Sequence, residues 1–482
     1  MKLLASSSLL LILISCFLNK IFCLESMKST PAFRSHFHAV EVSSLSPASV
    51  CTSSSVIGSN KRQSTLEVHH MHGPCSQVDQ DKTKSTTKPS LSEILAKDQF
   101  KVKSLQARVN PSSTTTNNLN DKKRDLPVQS GQSLGSGDYI VNIGLGTPKR
   151  MLSLIFDTGS DLTWTQCEPC IRSCYRQQDP IFDPTTSTTY SNVSCSSNEC
   201  FELSSATGKS PGCASETCVY RMQYGDDCFS VGFFSKERLT ITNDVFQDFF
   251  FGCGQNNQGL FGNTAGIIGL GRHPLSIISQ TAPKYGKYFS YCLPSTSSQT
   301  GYLTLGKIGL PNNVKFTPFA TYNSQGKSSI SFYFIEIVSI IIGGRQLPVF
   351  TQSTFKTIID STTVITRLPP KAYSILRDEF RKMMSKYPTA PGYSILDTCY
   401  DLSGYRYVTL PVITIVFGGN VRVDLAPSGI VIVISRTRVC LAFAANDYES
   451  DVGIFGSTQQ KTLEVVYDVG GGYLGFGPFG CK

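Results

Sequence analysis

The sequence predicts an all-β protein with minor helix, built as two β lobes related by a pseudo-twofold axis. Two observations carry this. From Gly137 onward, short runs of Val, Ile, Phe, Tyr and Thr alternate with Gly, Pro, Asn and Asp, the texture of strands joined by turns. That part also repeats itself. Tyr139-Ile140-Val141-Asn142-Ile143-Gly144 and the acid-terminated Leu154-Ile155-Phe156-Asp157-Thr158-Gly159 reappear as Tyr333-Phe334-Ile335-Glu336-Ile337-Val338 and Thr357-Ile358-Ile359-Asp360-Ser361-Thr362. Each copy closes on apolar-apolar-Gly, as Ile267-Ile268-Gly269 and Ile454-Phe455-Gly456. Helical spacing returns only briefly, over residues 370–384, where Tyr373, Leu376 and Phe380 recur on one side. With 482 residues, 40% hydrophobic and 16% charged, the chain is long and apolar enough for a large core, which excludes disorder throughout.

Four segments follow in order. Residues 1–23 carry Lys2, the apolar run Leu9-Leu10-Leu11-Ile12-Leu13-Ile14 and a small, polar end, the pattern of a secretory signal peptide. The run is short for a spanning helix and is interrupted at Asn19-Lys20; no later segment offers the roughly 20 unbroken apolar residues that spanning requires, so no membrane anchor is expected. Residues 24–125 are rich in Ser, Thr, Lys and His. They contain one amphipathic stretch, Leu91 to Val109, with Leu91, Leu95, Val102, Leu105 and Val109 on its apolar side, then a low-complexity run from Pro111 to Asn118 and Lys122-Lys123-Arg124. This reads as a pro-segment ending in an exposed linker. The N-terminal lobe, with a Cys-rich insertion, is placed at 137–325 and the C-terminal lobe at 326–482.

Seventeen cysteines fit an oxidising compartment. The formal charge of +9 is unevenly distributed: residues 1–125 hold 16 basic and 9 acidic side chains, the remainder 28 and 26. The basic excess lies in the segment expected to be removed, and the rest shows no nucleic-acid footprint.

A single Asp-Thr-Gly is a common turn sequence. Here Asp157 and Asp360 each end an apolar strand, precede a hydroxyl residue and occupy equivalent places in a duplication, which makes them the candidate catalytic pair. Two carboxyl groups brought together cannot both ionise cheaply. One proton is shared, so one group acts as base toward a bound water while the other donates to a carbonyl, and the titrations belong to the pair.

On these motifs, from Phe156 to Ser160, Tyr224-Gly225-Asp226 and Ile359 to Thr363, the chain resembles the pepsin-like aspartic proteases, over about residues 137–482. More narrowly it is similar to the nepenthesin-like plant group, which it also resembles in the pro-segment through Leu66-Glu67-Val68-His69-His70 and His72-Gly73-Pro74-Cys75-Ser76. The resemblance implies the bilobal pepsin-like acid protease fold. It also implies hydrolysis of extended peptide or protein substrates at acidic pH by an activated water, with no metal or other cofactor, in a secreted monomer of the apoplast, with the vacuole as the alternative. It gives Thr158 and Ser361 the bracing of the two loops, with Gly159, Thr362 and Thr363 supporting them. It places Tyr224 and Gly225 on a flap over the substrate, with Trp164 as hydrogen-bond partner of the tyrosine or, alternatively, as plain core. It implies the disulfides Cys167–Cys170, Cys174–Cys253, Cys195–Cys218, Cys200–Cys213, Cys292–Cys481 and Cys399–Cys440. That pairing leaves Cys228, in the flap, as an inert variant of Ser or a modifiable thiol.

Two departures stand out. Thr362 replaces the Gly of the family's Asp-Ser-Gly-Thr, and Tyr224-Gly225-Asp226-Asp227-Cys228 departs from the usual Gly-Asp-Gly-Ser flap. If residue 362 needed a positive φ, a β-branched side chain there would cost about 1–3 kcal/mol.

Only His273 follows residue 125, which disfavours Ser-His-Asp, Cys-His and His-rich metal chemistry. A zinc cluster among Cys167, Cys170, Cys174, Cys195, Cys200, Cys213 and Cys218 is the lesser reading beside a disulfide-stapled loop. The stretch His69-His70-Met71-His72 is read as a solvated strand, and Asn192-Val193-Ser194 as a glycosylation sequon at Asn192. The reading is therefore a zymogen whose basic pro-segment acts as an intramolecular inhibitor of an acid endopeptidase. The alternative is a catalytically impaired pepsin-fold binding or inhibitor protein of the plant cell wall.

Overall fold

The computed structural model describes residues 36–52, 64–78, 90–109, 139–224, 228–259, 261–307, 313–322, 331–348 and 354–481. The signal peptide, the linker after Val109 and Gly225 lie outside these residues.

The sequence repeat is realised as two equivalent strand sets. Tyr139–Leu145 runs antiparallel to Arg150–Asp157, with Ile140 opposite Ile155, and Arg150–Asp157 runs parallel to Gly266–Gly269, with Asp157 opposite Gly269. In the second set Phe334–Ile342 runs antiparallel to Phe355–Ile359, and the latter runs parallel to Gly453–Phe455, with Ile359 opposite Phe455. The parallel neighbours bury both faces of the strands leading to the two acids, so Ile155, Phe156, Ile268, Ile358, Ile359 and Phe455 are all interior.

The first lobe forms most of a 15-stranded sheet, and the second an 8-stranded and a 4-stranded sheet. The lobes share backbone. Glu464–Asp468 and Tyr473–Gly477, near the end of the chain, join the large sheet by pairing with Tyr288–Cys292 and Lys315–Pro318. The helix Pro370–Met383 closes the second lobe through Tyr373, Leu376 and Phe380, with Pro370 in its first turn, where no N–H is needed.

The region expected to be a pro-segment is built into both lobes. Thr65–His70 is an interior strand between Thr300–Leu305 and Tyr139–Leu145, and Phe37–Glu41 adds an antiparallel strand to Tyr407–Pro411. The histidine-rich stretch is therefore not a solvated strand: His69 pairs on two sides and His70 on one, both are half-buried, Met71 is buried, and the His70 ring meets Tyr139 edge-on at 5.5 Å. Leu91–Val109 is a helix opened by a capping box, in which Ser90 donates its N–H to the Glu93 carboxylate at 2.7 Å and the Ser90 hydroxyl accepts the Glu93 N–H at 3.3 Å.

Four expected disulfides are replaced. Cys167 bonds Cys253 and Cys170 bonds Cys174, rather than Cys167–Cys170 and Cys174–Cys253; Cys195 bonds Cys213 and Cys200 bonds Cys218, rather than Cys195–Cys218 and Cys200–Cys213. Strand register is the reason. Trp164–Gln166 runs parallel to Asp244–Gln258 with Thr165 opposite Cys253, and the Cys167 N–H bonds the Gly254 carbonyl at 2.7 Å, which brings Cys167 to Cys253. Helix Asn198–Thr207 packs on the strand Thr217–Gln223, so Cys200 reaches Cys218 and leaves Cys213 to Cys195. The remaining bonds are Cys292–Cys481, Cys399–Cys440 and Cys51–Cys75, the last within the pro-segment. Cys228 is free and half-buried.

Truncating Phe380 to Ala, at the buried centre of its helix face, is expected to cost about 3–5 kcal/mol in denaturant-induced unfolding. A loss below about 1 kcal/mol would mean that this helix does not close the second lobe.

Candidate active site

Asp157 and Asp360 end the two equivalent strands, and backbone hydrogen bonds fix both ends: Leu270 N–H to the Asp157 carbonyl at 2.9 Å, and Asp360 N–H to the Phe455 carbonyl at 3.2 Å. The loops that follow are tied reciprocally. The Thr158 N–H donates to the Ser361 hydroxyl at 3.1 Å and the Ser361 N–H to the Thr158 hydroxyl at 3.0 Å, while the Ser361 hydroxyl donates to the Phe156 carbonyl at 3.1 Å. These bonds cross between the lobes, so the separation of the carboxyls is set by buried backbone.

Hydroxyls and amides aim at the pair. Gly159 N–H donates to Asp157 Oδ1 at 2.9 Å and the Thr363 hydroxyl to Asp360 Oδ2 at 2.5 Å. Thr362 Oγ1 lies 2.8 Å from Asp157 Oδ1 and 3.3 Å from Asp360 Oδ1. Thr362 does not take a positive φ, so the anticipated backbone strain is absent there. At the equivalent Gly159 a Cβ would come within 2.9 Å of Asp360 Oδ1. The glycine on that side leaves room, whereas the threonine on the other places a hydroxyl against the pair.

Tyr224 stands at the end of the hairpin formed by Thr217–Gln223 and Phe229–Ile241, and its hydroxyl accepts the Trp164 indole N–H at 2.8 Å. Trp164 is also core, meeting Phe261 edge-on at 5.1 Å. Burial first, and the Asp157 carboxylate second, push the Tyr224 phenol well above its ordinary range, so it stays neutral. Asn192 is exposed on a short strand, its side-chain oxygen accepting from the Tyr190 hydroxyl at 2.8 Å. Among the described residues no group of three or more His, Cys, Asp or Glu is arranged to hold a metal, and no helix is long and apolar enough to cross a membrane.

The residues that motif reading missed lie on the pro-segment helix and opposite it. Lys101 Nζ sits 3.4 Å from Asp157 Oδ1 and 3.2 Å from Asp360 Oδ2, directly over the pair. One turn earlier, the buried Asp98 pairs with Arg367 at 2.7 Å. Arg108 reaches the Gly159 carbonyl at 3.4 Å and covers the Phe332 ring. The apolar side of the helix packs mostly on the second lobe, Leu95 with Val364 and Ile365, and Val102, Leu105 and Val109 with Phe332, Phe334, Ile358 and Ile454. The signal available in the sequence was a charge at helical spacing inside an apolar stripe: Asp98 falls between Leu95 and Val102.

Two family matches together span the duplicated part of the chain. The family described as xylanase inhibitor N-terminal matches residues 139–307, and that described as xylanase inhibitor C-terminal matches residues 332–478. An aspartyl protease family protein of Arabidopsis thaliana is 52% identical over 450 residues, covering 92% of this chain and 93% of its own. Aspartyl protease AED1 of the same plant is 46% identical over 482 residues, covering 98% of each, and aspartic proteinase nepenthesin-1 of Nepenthes gracilis is 34% identical, covering 73% and 80%. Among solved structures, soybean basic 7S globulin superposes with a TM-score of 0.58 at 19% identity, covering 71% of this chain and 91% of its own, which speaks to the fold.

Replacing Lys101 with Met leaves two buried carboxyls facing an apolar side chain, a loss of roughly 3 kcal/mol for a buried pair deprived of one partner. Amide hydrogen exchange in Leu91–Val109 at neutral pH is expected to accelerate about a hundredfold; an unchanged helix would show that Lys101 does not hold it.

Proposed function

This chain belongs to the plant pepsin-like aspartic protease family, and we propose that it is secreted as a precursor and opened by acid into an endopeptidase whose Asp157/Asp360 pair activates a water. The observation that carries this is the placement of two buried carboxyls, one from each lobe, within reach of a single ammonium, Lys101. A pair that a cation must neutralise in the closed precursor shares one proton once that cation leaves. The ionised member then takes a proton from the water as it attacks the peptide carbonyl, and the protonated member gives one to the carbonyl oxygen. Breakdown of the tetrahedral adduct returns a proton to the leaving amine. The Thr158 and Ser361 bonds fix the spacing, and neutral Tyr224, held by Trp164, supplies a donor above the bound strand. A purely binding role is not favoured, since both carboxyls are present and the relatives at 34–52% identity bear protease names.

The charges around the helix support opening by acid. Burial alone would raise the Asp157 carboxyl, but the Lys101 ammonium, with the Gly159 N–H and the Thr362 hydroxyl, more than offsets it and holds it below the ordinary range. A carboxyl depressed in the closed state stabilises closure above its free pKa, and that contribution is lost as the pH falls through the depressed value. Burial lowers Lys101, but the two carboxylates outweigh it and raise the ammonium, which stays charged throughout the acid range. Asp98 works in the opposite sense. Burial, stronger than Arg367 and the Val364 and Ile365 N–H groups, raises its carboxyl, so its contribution to closure grows as the pH falls.

The acid-treated full-length chain is expected to cleave a denatured protein from about pH 3 toward neutrality with an acid optimum, and to be silenced by pepstatin and by Asp157→Asn. Silence from the native chain with activity in Thr362→Gly would overturn the proposal. Asp98→Asn removes both the Arg367 pair and the opposing titration, so precursor processing, followed by gel shift, is expected to begin at a higher pH than in the native chain.

A further inference from the structure

Lys101 and Asp98 lie one helical turn apart on the same side of the pro-segment helix, and they meet different partners. Lys101 meets the acid pair. The Asp98 carboxylate enters a cradle made wholly by residues beyond the pro-segment: it accepts the Val364 N–H at 2.6 Å, the Ile365 N–H at 3.4 Å and Arg367 Nη2 at 2.7 Å. Arg367 is 1% exposed, on the short strand Thr366–Leu368 that Gly453–Phe455 and Phe443–Ala445 flank. Among the described residues Asp98 is the only carboxylate within ion-pair distance of Arg367, and the buried Arg367 Nε has no hydrogen-bond partner.

Two backbone donors and a guanidinium therefore converge on one carboxylate, and the protease part of the chain supplies none of its own. With the helix docked Arg367 is fully covered, and departure of the helix takes away the one carboxylate that pairs with it among the described residues. When the helix leaves the acid pair it also leaves this cradle, four to seven residues beyond Asp360 in the sequence. We propose that in the opened protease the cradle is a subsite for a carboxylate side chain, Asp or Glu, of the bound peptide, with Arg367 as the residue that sets this specificity. The proposal rests on the peptidase reading of Asp157 and Asp360. Since a helical turn spans 5.4 Å and an extended strand advances about 3.3 Å per residue, the acidic residue falls within about three positions of the cleaved bond. The pro-segment would then occupy the site with the same chemical group that the substrate offers.

The test uses acid-treated full-length protein and paired peptides that differ only by Asp against Asn, or Glu against Gln, at each of three positions on either side of the cut, at about pH 5, where a free carboxyl is largely ionised. With the helix gone the site is more open to water than it is around Asp98, so there the Arg367 pair is expected to outweigh burial and to favour the acid over the amide by about tenfold in kcat/KM at one position, mostly through KM. Arg367→Met should bring that ratio close to one, and Arg367→Lys should recover part of it. Because Arg367→Met strands Asp98 in the precursor, the same measurement is made on Asp98→Asn/Arg367→Met, which buries no unpaired charge. Cleavage without acid preference at any position, or a preference that survives in the double variant, overturns the subsite. If neither member of any pair is cut, the peptidase reading fails. Binding of the same pairs, followed by fluorescence of the sole tryptophan, Trp164, then decides the subsite independently: tighter binding of the acid supports it and equal binding overturns it.

Discussion

Two carboxyl groups held against each other in a dry interior repel, and the architecture around Asp157 and Asp360 answers that constraint. Each acid ends a strand whose parallel neighbour lies beside it, so neither backbone can retreat. The reciprocal Thr158 and Ser361 bonds lock the two strand ends across the lobes. What remains is the charge. Lys101 offsets it from outside the duplicated lobes, and the helix that carries Lys101 must be anchored well enough to keep an ammonium there.

The anchoring explains why the pro-segment is woven into the fold rather than laid over it. One of its strands fills an interior position of the large sheet, another extends the second lobe, a disulfide ties its two parts together, and the helix lays an apolar stripe on the second lobe. Its two strands complete their backbone hydrogen bonds on strands of the lobes, so they cover sheet edges while the helix covers the carboxyl pair.

Twofold symmetry is broken at one residue beside the dyad. Gly159 leaves no room for a side chain, whereas Thr362 takes an ordinary backbone conformation and turns a hydroxyl toward both acids. The symmetry of the strands thus carries two chemically different loops, one donating to Asp157 through the Gly159 backbone N–H and the other through the Thr362 hydroxyl.

The strands that end in Asp157 and Asp360, the hydroxyls beside them and the helix Leu91–Val109 were legible in the amino-acid order, because each is encoded by local spacing: alternation and apolar runs for strands, a repeat for the lobes, three-and-four spacing for the helix. Fold class follows from such patterns. The disulfides of the Cys-rich region were not legible, because which cysteine meets which depends on register between strands distant in the chain, as Thr165 opposite Cys253 shows. The covering of Thr65–His70 was hidden for a related reason, since a polar-looking strand becomes interior to a sheet only when two partners close on it. Asp98 stood inside the apolar stripe of the helix, but nothing in the local spacing tells what Asp98 or Lys101 would meet. Only the docked helix turns them inward, onto the acid pair and onto Arg367, because a buried charge is tolerated where an opposite one waits, and for Asp98 that partner comes from 269 residues away along the chain.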